Sequence, residues 1–286
     1  MENTGVNIVE TITQTINNLF SNLFSSVDNS LYSVLDDLLF IDADILKNNN
    51  LNNFLGSSNS NSLIIICNSL LLGFALYYLC TLLLSHFTFS QVQKPSQFIF
   101  KLLLCAIAIN SSEFLIENFI ILISNISLSI REIGEIILNE NICLSSFVEK
   151  TNSSIYVDDV GFNIFSLNGL VKSFISIGLL NLALSYSVRY IMIKVFILLT
   201  PFALTSLLNL NTSWIFKSWF KILLSLLLLQ ILVPIILIVS FSLDFDSSDI
   251  FSKITYIGCI YSLIKCNTFI RDFMGRTINR CKCWYF

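Results

Sequence analysis

Apolar residues recur along this chain in two ways, first on one face of a helix and then in unbroken runs. From residue 7 to residue 40, Ile8, Ile12, Ile16, Leu19, Leu23, Val27, Leu31, Leu35 and Leu38 fall at helical spacing, with Ser, Thr, Asn and Asp opposite. That spacing predicts one or two amphipathic helices, too polar to span a bilayer. Such a stretch either packs on the membrane domain that follows or lies at an interface or against a partner. Residues 48–62, rich in Asn and Ser, predict a polar linker. Beyond it the runs become continuous. Leu63–Leu84 is free of charge over the length that one crossing needs.

The next apolar stretch, Phe98–Leu128, would make a helix of about 46 Å, longer than a bilayer core is thick. Phe98–Phe119 is the expected second span, with Ile120–Leu138 continuing it along the far surface. Residues 165–208 would make about 66 Å of helix, too much for one crossing and too little for two clean ones. One crossing at roughly Phe165–Ser187 is expected there, followed by a re-entrant or surface-lying hairpin over 195–208, turned at Pro201. Trp219–Leu243, interrupted by Gln230 and Pro234, and Ile254–Phe269 complete the set. The predicted fold class is all-α: a polytopic membrane helical bundle of about five transmembrane helices with an N-terminal amphipathic helical region. Residues 1–62 form that region and its linker, 63–270 the membrane domain, and 271–286 a short basic tail.

Charge orients this arrangement. Residues 1–62 hold seven acids (Glu2, Glu10, Asp28, Asp36, Asp37, Asp42, Asp44) against Lys47 alone, whereas residues 265–286 hold five bases against Asp272. The connection His86–Lys101 is basic, and 129–164 carries six acids against Arg131 and Lys150. Arg189, Lys194, Lys217 and Lys221 meet no acid between 160 and 243, and Asp244, Asp246 and Asp249 then face only Lys253. Lys and Arg near a span are retained in the cytoplasm. The expectation is therefore a multi-pass protein of the cytoplasmic membrane, N-terminus outside and C-terminus inside, with an external loop at about 129–164. The start, Met1–Glu10, has no basic segment leading into an apolar core, so insertion through the first span is expected rather than a cleaved leader.

Composition agrees, with 55% hydrophobic and 12% charged residues and a mean hydropathy of +0.77. Abundant Asn, Ile, Ser, Leu and Phe suggest an AT-rich genome, that of a low-GC bacterium. Of eight cysteines only Cys281 and Cys283 are closely spaced, and His86 is the one histidine. No catalytic, metal or cofactor residues are expected: the chain lacks a Gly-rich phosphate loop, GxSxG, HExxH and any Cys/His pairing.

Polar groups within the apolar segments are the candidate sites. Asn110, Glu113 and Glu117 share one helix face, and carboxylates at membrane depth face a bundle interior or a cavity. They are expected as assembly contacts in preference to a proton or cation relay. Asn181, Ser185 and Arg189 form a second stripe, in which Asn181 and Ser185 suit interhelical hydrogen bonds and Arg189 suits snorkelling to the cytoplasmic surface. Lys172 is the candidate partner for Glu113 or Glu117. Pro201 and Pro234 are candidate hinge or re-entrant positions, and Trp214 and Trp219 candidate interface anchors.

The order of features from 185 onward carries a resemblance. Arg189-Tyr190 leads into "IMIKVFILLTPFALTSLLNLN", then "TSWIFKSWFK", the Leu/Gln-rich "ILLSLLLLQILVPIILIV" and the closing "SLIKCNTFIRDFMG". In layout, over roughly residues 60–276, this resembles the TrbL-like polytopic inner-membrane subunit of type IV secretion and conjugation machines, especially the Gram-positive forms. The resemblance implies a non-enzymatic channel or scaffold subunit without cofactors. It would oligomerise and act with other secretion-channel subunits and ATPases to pass DNA or protein across the bilayer. The other classes compatible with the composition are a small-solute or ion transporter, which predicts internal repeats, and a channel component of another assembly such as a sporulation complex.

Overall fold

A computed structural model describes residues 8–40, 62–88, 94–155, 166–209, 212–243 and 250–281. Among these residues the ordered structure is entirely α-helical: α1 (Ile8–Leu39), α2 (Leu63–Thr88), α3 (Pro95–Asn110), α4 (Ser112–Leu138), α5 (Leu144–Ile155), α6 (Leu167–Leu198), α7 (Thr200–Thr205), α8 (Ser213–Phe241) and α9 (Ile250–Cys281). Pro95 opens α3, where its missing N–H and fixed φ suit a first helical position. Asn139, at φ 52°, takes the left-handed conformation that ends α4. Four helices are long and apolar enough to cross a bilayer: Leu63–Thr88, Ser112–Leu138, Asn168–Leu198 and Ser213–Phe241. The chain is therefore an all-α, multi-pass membrane protein.

The chain divides into two compact units. The first comprises residues 1–41, 126–188 and 229–272. Within it the C-terminal end of α1 packs on α5, burying Leu35 and Leu39. The Phe147 ring of α5 lies 5.7 Å from Phe241 and 5.5 Å from Tyr256. Two pairs of helices run parallel. Ser127 and Gly134 of α4 meet Gln230 and Ile238 of α8 in the same order, and Asn168, Gly178 and Tyr186 of α6 meet Lys253, Ile260 and Leu263 of α9.

The second unit comprises residues 42–125, 189–228 and 273–286. Here α2 and α3 run antiparallel: Tyr78 stacks on Phe98 with ring centroids 3.8 Å apart, and Asn68 meets Asn110. The short α7 packs on both, in a core of Cys67, Leu71, Cys105, Ile109, Leu204 and Leu208.

Several predicted boundaries are corrected. The stretch 98–119 is not one helix, because the chain breaks at Ser111 and α4 starts afresh at Ser112. At 16 residues α3 reaches only about 24 Å, and the segment of crossing length is 112–138. The stretch 129–164, expected as external, contains the helical continuation expected to Leu138 and a further helix over Leu144–Ile155. The helix around 254–269 extends over Ile250–Cys281 but is not among the four apolar enough to cross, since Lys253, Lys265 and Arg271 punctuate it. The linker at 48–61, the acidic stretch 244–249 and the last five residues lie outside the described residues.

The hairpin expected over 195–208 is also redrawn. Helix α6 continues to Leu198, and Leu199 interrupts it before Pro201, which has no N–H to return to residue 197. Helical bonding resumes at once, with Ala203 N–H donating to Leu199 C=O. The reversal lies further on, between α7 and α8, where Leu207 and Leu208 N–H donate to Leu204 and Thr205 and the Thr212 hydroxyl to Ser206 C=O at 2.9 Å.

Candidate functional site

In the second unit the polar side chains close a hairpin between the end of α6 and the start of α8. Arg189 Nε donates to Leu226 C=O at 3.1 Å, and Trp219 Nε1 donates to Phe196 C=O at 2.9 Å. The two contacts pair residues in opposite chain order, so the helices run antiparallel. Phe196 lies in the last turn of α6, where carbonyls lose their own helix donors. The Thr200 hydroxyl also reaches this carbonyl, at 3.2 Å.

Arg189 is 1% exposed and among the largest fully buried side chains of the described residues. It does not snorkel, as its position near a helix end suggested. Trp219 is buried as well, beside Phe216 at 5.7 Å. Trp214, at 63% exposure, is open. The stripe through Asn181, Ser185 and Arg189 is not one buried face: Asn181 is exposed, Ser185 half-buried and Arg189 buried. Steps of four residues turn a helix by more than a full circle, so the stripe rotates toward the interior as it advances.

Asn110 is held twice. Its Nδ2 donates to Ala106 C=O at 2.8 Å, and its Oδ1 accepts from Asn68 Nδ2 at 3.2 Å, an amide pair joining α2 to α3. Glu113 and Glu117 follow on α4, both half-buried. Lys172, 3% exposed, belongs to the first unit, and Glu113 and Glu117 belong to the second. Ion pairs within the first unit include Arg131–Glu135 at 3.1 Å and Lys150–Glu140 at 2.8 Å.

The first unit also holds contacts that the sequence reading missed. Pro234 does not interrupt α8, which runs unbroken from Ser213 to Phe241. A proline inside a helix leaves the carbonyl four residues earlier without its N–H, here that of Gln230. The Ser127 hydroxyl of α4 donates to this carbonyl at 2.8 Å. Neighbouring helices and Ser/Thr hydroxyls are how prolines are accommodated within spans. The signal was present: a mid-span proline asks for a donor near residue i−4.

Asp36 is the second missed residue. Its Oδ1 accepts the Leu144 N–H at 2.8 Å and its Oδ2 the Ser145 hydroxyl at 2.5 Å, so α1 supplies the carboxylate that caps α5. Helix N-termini favour negative charge and leave N–H groups open. Gly134 is the third. A Cβ there would fall 2.5 Å from Ile142 Cδ1 and from Ile238 Cγ1, so only glycine admits this approach of α8 to α4.

No cluster of three His, Cys, Asp or Glu able to hold a metal occurs among the described residues. Arg189, Trp219, Ser127, Asp36 and Asn110 each serve a backbone carbonyl, a helix end or another amide. No protein-family model matches this chain, and no curated protein is significantly similar to it.

Proposed function

We propose that this protein is a non-enzymatic channel or scaffold subunit of a type IV secretion machine in the cytoplasmic membrane. In this reading it oligomerises and works with partner subunits and ATPases to pass DNA or protein. The observation that carries the reading is the use made of the segment bearing the family-like features. Arg189 and Trp219, the residues that begin "RYIMIK" and close "KSW", are the two that fasten its antiparallel hairpin. Pro201 and its neighbours pack on α2 and α3. These features thus serve assembly of the membrane domain, as a scaffold requires.

The orientation proposed with this function places the N-terminus outside and the C-terminus inside. Cysteines introduced at Lys94 and Lys217 should react with impermeant maleimide only after the membrane is opened, and labelling of either in intact cells overturns the orientation. For the function, disruption of the gene in its own host should abolish cell-to-cell DNA transfer or secretion of protein and leave growth intact. The chain purified from that membrane should retain secretion subunits and ATPases. Undiminished transfer in the disrupted strain refutes the proposal. Solute or ion flux through the purified chain in liposomes, absent from empty vesicles, would establish a transporter instead.

A further inference from the structure

Helix α4 carries two opposed faces at the same spacing. Ile116, Ile120, Ile123, Ser127 and Gly134 are buried. On the other side Leu115, Asn118, Leu122, Asn125, Ser129, Glu132 and Ile136 are all exposed. These outer positions advance by alternating steps of three and four residues, the 3.5 period that keeps one seam facing a partner helix. From Leu115 to Asn125 apolar and amide side chains alternate along it: Leu115, Asn118, Leu122, Asn125. Asn125 stands at the midpoint of Ser112–Leu138, where a crossing helix meets the centre of the bilayer.

A lipid-facing surface looks different in this same chain. The exposed face of α2 presents Ile65, Ile66, Leu70, Leu72, Leu76, Leu79, Leu83 and Leu84, and its exposed Ser69 turns its hydroxyl back to Ile65 C=O at 3.0 Å. Amide side chains exposed at mid-depth in hydrocarbon lack the partners that water supplies elsewhere.

The chain also shows what satisfies such an amide. Asn118 repeats half of the arrangement at Asn110: its Nδ2 donates to Phe114 C=O, four residues back, at 2.7 Å. At Asn110 the Oδ1 then accepts a second asparagine amide from another helix. The Oδ1 of Asn118 accepts no hydrogen bond among the described residues, and neither does the side chain of Asn125.

We propose that the Leu115–Asn125 face of α4 is the seam through which copies of this chain associate, α4 against α4, with the amide layers of Asn118 and Asn125 alternating with the leucine layers of Leu115 and Leu122. A second copy fits for two reasons. Carboxamides are both donors and acceptors and so complement themselves. Copies inserted in one orientation also bring their α4 helices together in parallel, which sets each asparagine level with its counterpart. The inference rests on the proposed homo-oligomeric membrane subunit and assigns its contact.

Single cysteines placed at Leu122 and Asn125 in the full chain, with native cysteines retained, are oxidised in membranes and the linked peptides identified by mass spectrometry. Leu72 and Leu79 of α2 serve as comparison positions. Links 122–122 and 125–125 are expected, with none at 72 or 79. Asn118→Leu combined with Asn125→Leu should weaken self-association in nanodiscs about tenfold, two layers at the modest strength of interhelical hydrogen bonds in membranes. Helical content should remain as in the wild type. Self-association with links confined to α2 overturns the seam and leaves the oligomeric subunit intact. Linkage of 122 or 125 only to a different protein overturns the second copy as occupant. A chain that stays monomeric in its native membrane refutes both the seam and the homo-oligomer.

Discussion

Ser127→Ala tests whether the contact beneath Pro234 stabilises the protein. The substitution removes one hydroxyl from a site that is 2% exposed and leaves the Gln230 carbonyl without the donor now 2.8 Å away. It creates almost no cavity, so the loss isolates the hydrogen bond. Interhelical hydrogen bonds in membranes average about 0.6 kcal/mol. Here a larger loss, about 1 kcal/mol, is expected, because proline has already taken the helical donor away from the carbonyl that Ser127 serves. Pro234→Ala returns that donor, and in its background Ser127→Ala should cost less than about 0.5 kcal/mol. A double-mutant cycle measured by reversible denaturant unfolding in bicelles, followed by circular dichroism, should give a coupling near 1 kcal/mol. Equal losses in both backgrounds would refute the proline-relief account.

Asp36→Ala should destabilise the start of α5 by about 1 kcal/mol, as helix-cap deletions do, and hydrogen exchange should show faster exchange at Leu144 and the next few amides. Asp36→Asn, which keeps an acceptor oxygen, should recover part of that protection. Gly134→Ala should cost about 1–3 kcal/mol through overpacking against Ile238; adding Ile238→Ala should cost less than the two singles summed, and strict additivity in thermal unfolding counts against close packing there. Trp219→Phe keeps an aromatic ring and deletes the donor to Phe196, so a loss of about 1 kcal/mol is expected in the same unfolding assay. No loss would mean that the Thr200 hydroxyl suffices for that carbonyl.

How much of this was legible in the sequence depends on the range of the interactions involved. The amphipathic stretch ending near residue 40 and the run from Leu63 follow from local periodicity and emerge as α1 and α2. The break at Ser111 did not, because an apolar run has the same hydropathy whether or not one residue leaves the helix. Pro201 was assigned the reversal that follows α7, since a proline marks a lost N–H and not a direction of travel. Arg189 was placed at a surface by its distance along the helix, and only the arrival of α8 shows that it is enclosed. Pro234, Gln230 and Ser127 form one contact across 103 residues, which no local pattern announces.

The bond between Asp36 and the start of α5 has a topological consequence. Where that contact lies outside the hydrocarbon, both groups stand on one side of the bilayer and the chain between residues 36 and 144 crosses it an even number of times. Helices α2 and α4 are the two in that interval long and apolar enough to do so. The carboxylate thus works as a parity check on insertion: a copy in which one of those helices failed to cross would hold Asp36 and Leu144 on opposite faces and could not form the cap.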